Sequence, residues 1–227
     1  MESHLEKILA QVVEQAVGTG EPVGSQYLVD IYNLDVSSAT VRNYFIDLEE
    51  QGLIMQPHTS SGRLPTEKGY QYFVEHLLVP RVLSKKETNE LLSASKQADS
   101  EQAKIKACAK VAAELSQNAA IVGLDHLDSY YTGLTNLFSQ HEFKDWNRVV
   151  SMSDVLDRLD DVLSTLRESK YEHPTTMIGN TCPFGPMCGS AIVTLPGGIL
   201  FGILGPMRMD YGLSISLAAK IKQLMSE

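Results

Sequence analysis

The sequence predicts an α+β protein built in two parts. Three observations carry that expectation. The first 80 or so of its 227 residues hold four helical stripes, with one short strand pair between the third and the fourth. Two helical segments follow, the first opened by a capping box. The last third alternates helices with short apolar strands, and the tight turn Pro196-Gly-Gly198 joins two of them.

The elements follow in order. Leu5, Ile8, Leu9, Val12, Val13 and Ala16 recur at helical spacing over residues 3–17. Ser25 is read as the cap of a short helix over 26–32 that ends at Asn33, and Ser37 as the cap of a third over 38–51. The third carries an inward stripe of Val41, Tyr44, Phe45 and Leu48, and Gly52 stops it. Residues 53–55 form a strand, 56–61 a polar hairpin tip and 62–65 the return, before Thr66 caps a helix over 67–79. Three helices, a two-stranded wing and a further helix make the winged helix-turn-helix pattern of a DNA-binding unit over 1–80. Residues 81–118 are expected to be a connector, with a capping box at Ser84 and Glu87 and helices over 85–98 and 101–118. Over 119–227, strands are expected at 120–123, 127–132, 175–178, 190–195 and 199–204, with helices at 142–152, 154–168 and 211–225. That mixture gives an α+β domain.

Composition bounds the function. Hydrophobic residues at 43% and charged residues at 21% suit a globular chain. No run approaches the roughly 18 apolar residues of a membrane span, and the N-terminus has no apolar leader, so a cytoplasmic protein without a membrane partner is expected. Cys108, Cys182 and Cys188 are too few for a disulfide scaffold. Cys182 and Cys188 lack the further ligands of a metal site, and no nucleophile–base pair is visible. The expectation is no enzyme, no metal and no cofactor.

The third helix concentrates the candidate chemistry. With Val41, Phe45 and Leu48 inward, a rotation of 100° per residue points Ala39, Arg42, Asn43 and Ile46 outward. Arg42 suits the acceptors of guanine or a phosphate, Asn43 suits adenine, and Ala39 permits close approach. Ser38 and Thr40 lie in the first turn. The tip offers hydroxyls, backbone amides and the cation Arg63, which suit phosphate or minor-groove contact.

Four runs in the first part carry a resemblance: Thr19-Gly-Glu-Pro-Val-Gly-Ser25, Val36-Ser-Ser-Ala-Thr-Val-Arg-Asn43, Asp47-Leu-Glu-Glu-Gln-Gly52 and Gln56-Pro-His-Thr-Ser-Ser-Gly-Arg-Leu-Pro-Thr-Glu-Lys-Gly-Tyr70. In the last part, Tyr131-Thr-Gly-Leu-Thr-Asn-Leu-Phe-Ser-Gln-His-Glu-Phe143, Ile178-Gly179, Cys188 and Gly205-Pro-Met-Arg-Met-Asp-Tyr211 add to it. Together they resemble the bacterial heat-inducible transcription repressors of the HrcA type. The resemblance implies a repressor of heat-shock (chaperone) genes that binds double-stranded DNA at an inverted-repeat operator as a homodimer. It implies a GAF-like dimerisation and regulatory domain over 119–227, and the chaperonin as a further partner. Carried over, the DNA contacts are Ser37, Ser38, Thr40, Arg42 and Asn43 of the third helix, with Thr59, Ser60, Ser61 and Arg63 of the wing.

The chain departs from that pattern in three places. Asn118 leads almost directly into the Tyr131 block, so a segment inserted there in the family is missing. Gln26 and Gln71 are neutral where the family is often basic. Residues 1–76 hold four cations against eleven anions, a balance of −7 out of the chain's −9. Few cations and many acids predict weak non-specific affinity for DNA. The alternative is a GAF-like module that binds a small molecule or a chaperone without touching an operator. The outward face of the third helix discriminates the two, because a protein-binding face should be apolar.

Overall fold

A computed structural model of the chain describes residues 3–59, 61–125 and 128–226. It divides into two compact units, Met1–Leu78 and Val79–Glu227.

In the first unit, α1 (Ser3–Thr19), α2 (Ser25–Tyr32) and α3 (Ser38–Glu50) precede a two-stranded antiparallel hairpin of β1 (Ile54–Met55) and β2 (Leu64–Pro65). A helix α4 (Glu67–Tyr72) follows and loosens into a π-helical turn, Phe73–Leu77. The apolar stripe of α1 is buried as the spacing predicts: Leu9, Val12 and Ala16 are fully enclosed. They pack with Leu28 of α2 and with Val41, Phe45 and Leu48 of α3 in a small core. Tyr44 is only half-buried. Tyr32 fastens α2 to α1, donating to Glu14 Oε2 (2.7 Å) and accepting from Gln15 Nε2 (3.0 Å). Burial first, then the Glu14 carboxylate, pushes its phenol up to about 12. Ser25 is not the expected cap. Gly24 holds that position, and the Ser25 hydroxyl faces α3 instead.

The second unit opens with α5 (Lys85–Lys96) and α6 (Glu101–Ser116). The capping box forms as expected: Glu87 N donates to Ser84 Oγ, and Ser84 N donates to Glu87 Oε2. These two helices, expected as a connector, pack within this unit, α6 lying on the sheet.

The sheet holds β3 (Ala119–Asp125), β4 (Asp128–Thr132), β5 (Thr175–Ile178), β6 (Cys188–Thr194) and β7 (Leu200–Pro206), all antiparallel, in the order β4-β3-β7-β6-β5. The turn at 196–198 joins β6 to β7, with Gly197 and Gly198 at φ 73° and 79°, a region that glycine enters without strain. Helices cover both faces, so β6 and β7 are apolar nearly throughout rather than alternating. On one face lie α6 and α10 (Tyr211–Ser226). On the other lie α7 (Leu134–Phe138), α8 (Trp146–Asp157) and α9 (Leu159–Arg167), packing Leu137, Phe143, Met152, Leu159 and Leu163 on Ala119, Ile121, Ile192 and Leu204. The result is an α+β fold with a five-stranded antiparallel sheet, consistent with a GAF-like domain.

Two helix expectations change. The break in the long helical stretch falls at Arg158 rather than Ser153, and residues 141–144 form a separate 3-10 turn. Among the described residues, no helix is long and apolar enough to cross a membrane.

Candidate nucleic-acid interface

Helix α3 is fixed by its first turn. Ser37 is extended (φ −72°, ψ 157°), and its hydroxyl accepts from Thr40 N at 3.1 Å, the capping geometry expected of this residue. The Thr40 hydroxyl lies 3.0 Å from that of Ser37. With Val41, Phe45 and Leu48 buried, Ala39, Arg42, Asn43 and Ile46 stand on the exposed side, as the wheel predicts.

Arg42 does not project freely. Its Nε donates to Ser25 Oγ (3.2 Å) at the start of α2. That bond ties the side chain to α2, and Arg42 lines an open cleft of about 490 Å³ between α2, α3 and the hairpin. Gln26, Phe45, Ile46, Gln56 and Thr59 share its lining.

The hairpin tip is a closed turn. Ser61 N donates to His58 O (2.9 Å), and the Ser61 hydroxyl both donates to His58 O (2.7 Å) and accepts from His58 N (3.0 Å). Gln56 Nε2 reaches across to Thr59 O and Ser61 O. Gln56 is not among the nine residues that the sequence points to at this surface. A glutamine beside a proline carries no periodic signal, and its role appears only once the turn has closed.

Arg63 is turned inward. Its Nη2 lies 3.0 Å from Glu49 Oε2 of α3, and its guanidinium carbon sits 5.8 Å from the centre of the Phe45 ring. The side chain is only 17% exposed. Lys68 is committed as well: its Nζ donates to Gln51 O (2.8 Å) at the end of α3, where a cation meets the negative pole of the helix.

The nine residues expected at the interface therefore separate. Ser37 and Ser61 hold local structure, Thr40 bonds Ser37, and Arg63 pairs with Glu49. Ser38, Arg42 and Asn43 lie on α3, with Thr59 exposed at the tip. Ser60 lies outside the described residues.

The second unit brings together two of the sequence blocks noted above. Arg208 binds Glu142 through Nε (2.6 Å to Oε1) and Nη2 (3.1 Å to Oε2), and Nη2 also donates to Gln140 Oε1 (2.9 Å). Asn136 and Gln140 donate to the carbonyls of Ala113 and Gln117 at the end of α6. These bonds tie the 134–142 segment to the end of α6 and to the loop that follows β7. The three cysteines are free and buried, and Cys182 Sγ donates to Ser190 Oγ (3.7 Å). Burial pushes the thiols up, that of Cys108 to about 11 and that of Cys188 to about 12. Among the described residues, no cluster of three or more His, Cys, Asp or Glu could hold a metal.

Fold and site thus define an α+β protein whose helical first unit presents Arg42 and Asn43 of an exposed helix face beside a hairpin tip. Its residues 72–215 match the family described as "HrcA protein C terminal domain", and the chain belongs to that family. It is 49% identical over 87 residues to the heat-inducible transcription repressor HrcA of Moorella thermoacetica, a stretch covering 38% of this chain and 25% of that one. It is 43% identical over 116 residues to the protein of the same name from Mycolicibacterium gilvum, covering 51% of this chain and 34% of the relative. The matched stretch thus spans only a quarter to a third of those curated relatives. A solved structure described as a hypothetical protein superposes over the full chain with a TM-score of 0.71 at 14% identity, which supports the fold alone.

Proposed function

We propose that the protein is a DNA-binding transcriptional repressor of heat-shock genes, whose first unit is a winged helix-turn-helix with α3 as its recognition helix. The observation that carries this is the exposed face of α3. It presents Arg42 and Asn43, groups able to read base edges, flanked by Ala39 and the half-exposed Ile46, and it lies beside a hairpin tip held by Gln56 and Ser61. The relatives named as heat-inducible transcription repressors support the same reading.

In this reading Ser38, Arg42, Asn43 and Thr59 face the duplex, Arg42 and Asn43 toward base edges and Ser38 and Thr59 toward the backbone. Ser37, Thr40 and Ser61 shape that surface through the bonds they make, Arg63 braces it from within, and Ser60, outside the described residues, is assigned to it from the sequence alone. The protein acts as a homodimer, because two recognition helices related by a two-fold axis read an inverted repeat. The chaperonin is its regulatory partner, acting through the GAF-like unit in the cytoplasm.

Selection of bound sequences from random duplex DNA by the purified protein tests the class. Recovery of an inverted repeat is expected. Recovery of no common sequence would favour a GAF-like interaction module instead.

A further inference from the structure

We propose that Arg63 is a positioning residue, a latch that locks the hairpin onto α3 through Glu49 and Phe45, rather than a contact to DNA. The inference rests on the DNA-binding reading of the same surface and refines it.

Three features converge on the latch. The backbone of Arg63 forms a two-bond bridge with Val23: Val23 N to Arg63 O is 2.8 Å, and Arg63 N to Val23 O is 2.9 Å. Gly62, just before it, has no room for a side chain, since a Cβ there would lie 2.3–2.7 Å from the Val23 backbone. The base of the hairpin is therefore held against the α1–α2 turn. The Arg63 side chain then turns onto α3, with Nη1 also 3.5 Å from the Ser61 carbonyl. Nη2 meets Glu49, Nε is buried, and the guanidinium packs on Phe45, itself only 3% exposed.

This arrangement opposes a contact role on charge grounds. Affinity for phosphates comes from cations that displace counterions. A guanidinium already compensated by a carboxylate contributes little of that, and turning it outward would strand Glu49 and uncover the Phe45 ring. The geometry suits arginine specifically, because a flat fork can bond a carboxylate at its edge while lying on an aromatic face. Glu49 becomes part of the interface architecture although it is an acid on the recognition helix.

The opposing predictions differ in sign. Removing an acid beside a contact cation should strengthen DNA binding, whereas removing half of a latch should weaken it. The experiment titrates the full-length protein and its Arg63→Lys, Arg63→Ala, Glu49→Gln and doubly substituted (Arg63→Ala with Glu49→Gln) variants against an operator duplex recovered by selection, over a range of salt. Each single variant should bind roughly tenfold more weakly with an unchanged salt slope, and the double variant should be no weaker than Arg63→Ala, because both residues serve one coupled element. Lysine should not rescue. The proposal is overturned if Glu49→Gln binds as tightly as the native protein or tighter, or if Arg63→Ala lowers the salt slope by about 1 while lysine restores it.

Hydrogen exchange of the Val23 and Arg63 amides in the free protein gives a readout independent of DNA. Faster exchange in Glu49→Gln and Arg63→Lys is expected, and unchanged exchange sinks the latch. If the native protein binds no duplex even at low salt, the DNA reading fails while the exchange result still decides the latch. Should Arg63→Ala fail to fold, the two milder variants carry both measurements.

Discussion

Arg42 and Asn43 are neighbours on α3, yet the structure makes them unequal. Both stand exposed, but Arg42 is also tied to the start of α2 through Ser25. Arg42→Ala should weaken operator binding by about 1–3 kcal/mol, the range of a good base contact. A loss spread evenly over all sequences, with a shallower salt slope, would mark a phosphate contact instead. Titration of specific and scrambled duplexes at fixed salt distinguishes the two. Ser37 acts on folding. Removing its cap through Ser37→Ala should destabilise the first unit by about 1 kcal/mol, measured by denaturant unfolding of the free protein. Both roles were partly legible in the sequence, because a cap and an outward face follow from local spacing. The pairing of Arg63 with Glu49 was not, since it depends on where the hairpin lands against α3.

At the scale of elements, strong local signals survived and weak ones did not. The capping box at Ser84 formed because it needs only four consecutive residues. Helix α7, five residues long, was missed because it is too short to show a period. The sequence places the α8–α9 break at Ser153, and the structure places it at Arg158. The apolar stripe runs through both helices, and only the packing of Met152 and Leu159 on the sheet locates the kink at Arg158. Glu87 gives this scale a pH test. Its bonds from the Arg81 guanidinium, then from the Ser84 backbone, hold its carboxyl down to about 2. The folded state thus favours the ionised form. The resulting stability is full above the ordinary value of 4.5 and is lost as pH falls from there toward 2. Glu87→Gln should lower the melting temperature of the second unit at pH 7. The gap from the native protein should close progressively below pH 4.5, as followed by circular dichroism.

For the whole molecule, charge is the feature that most constrains function. The first unit carries four cations against eleven anions over residues 1–76, and two of those cations, Arg63 and Lys68, serve internal structure. In the DNA-binding reading proposed above, specific recognition would then rest on few contacts and on two-fold symmetry. Light scattering at micromolar concentration should report twice the 25.0 kDa chain mass. A mass of one chain throughout would remove the paired half-sites on which an inverted repeat depends.

The cysteines have a practical consequence. Cys108, Cys182 and Cys188 lie in the core as protonated thiols, and alkylating reagents attack the thiolate of an accessible sulfur. The native protein should therefore stay silent toward iodoacetamide. A cysteine introduced at the exposed Thr59 would be the reactive one, giving a fluorescent reporter at the hairpin tip without first stripping the native sulfurs from the chain.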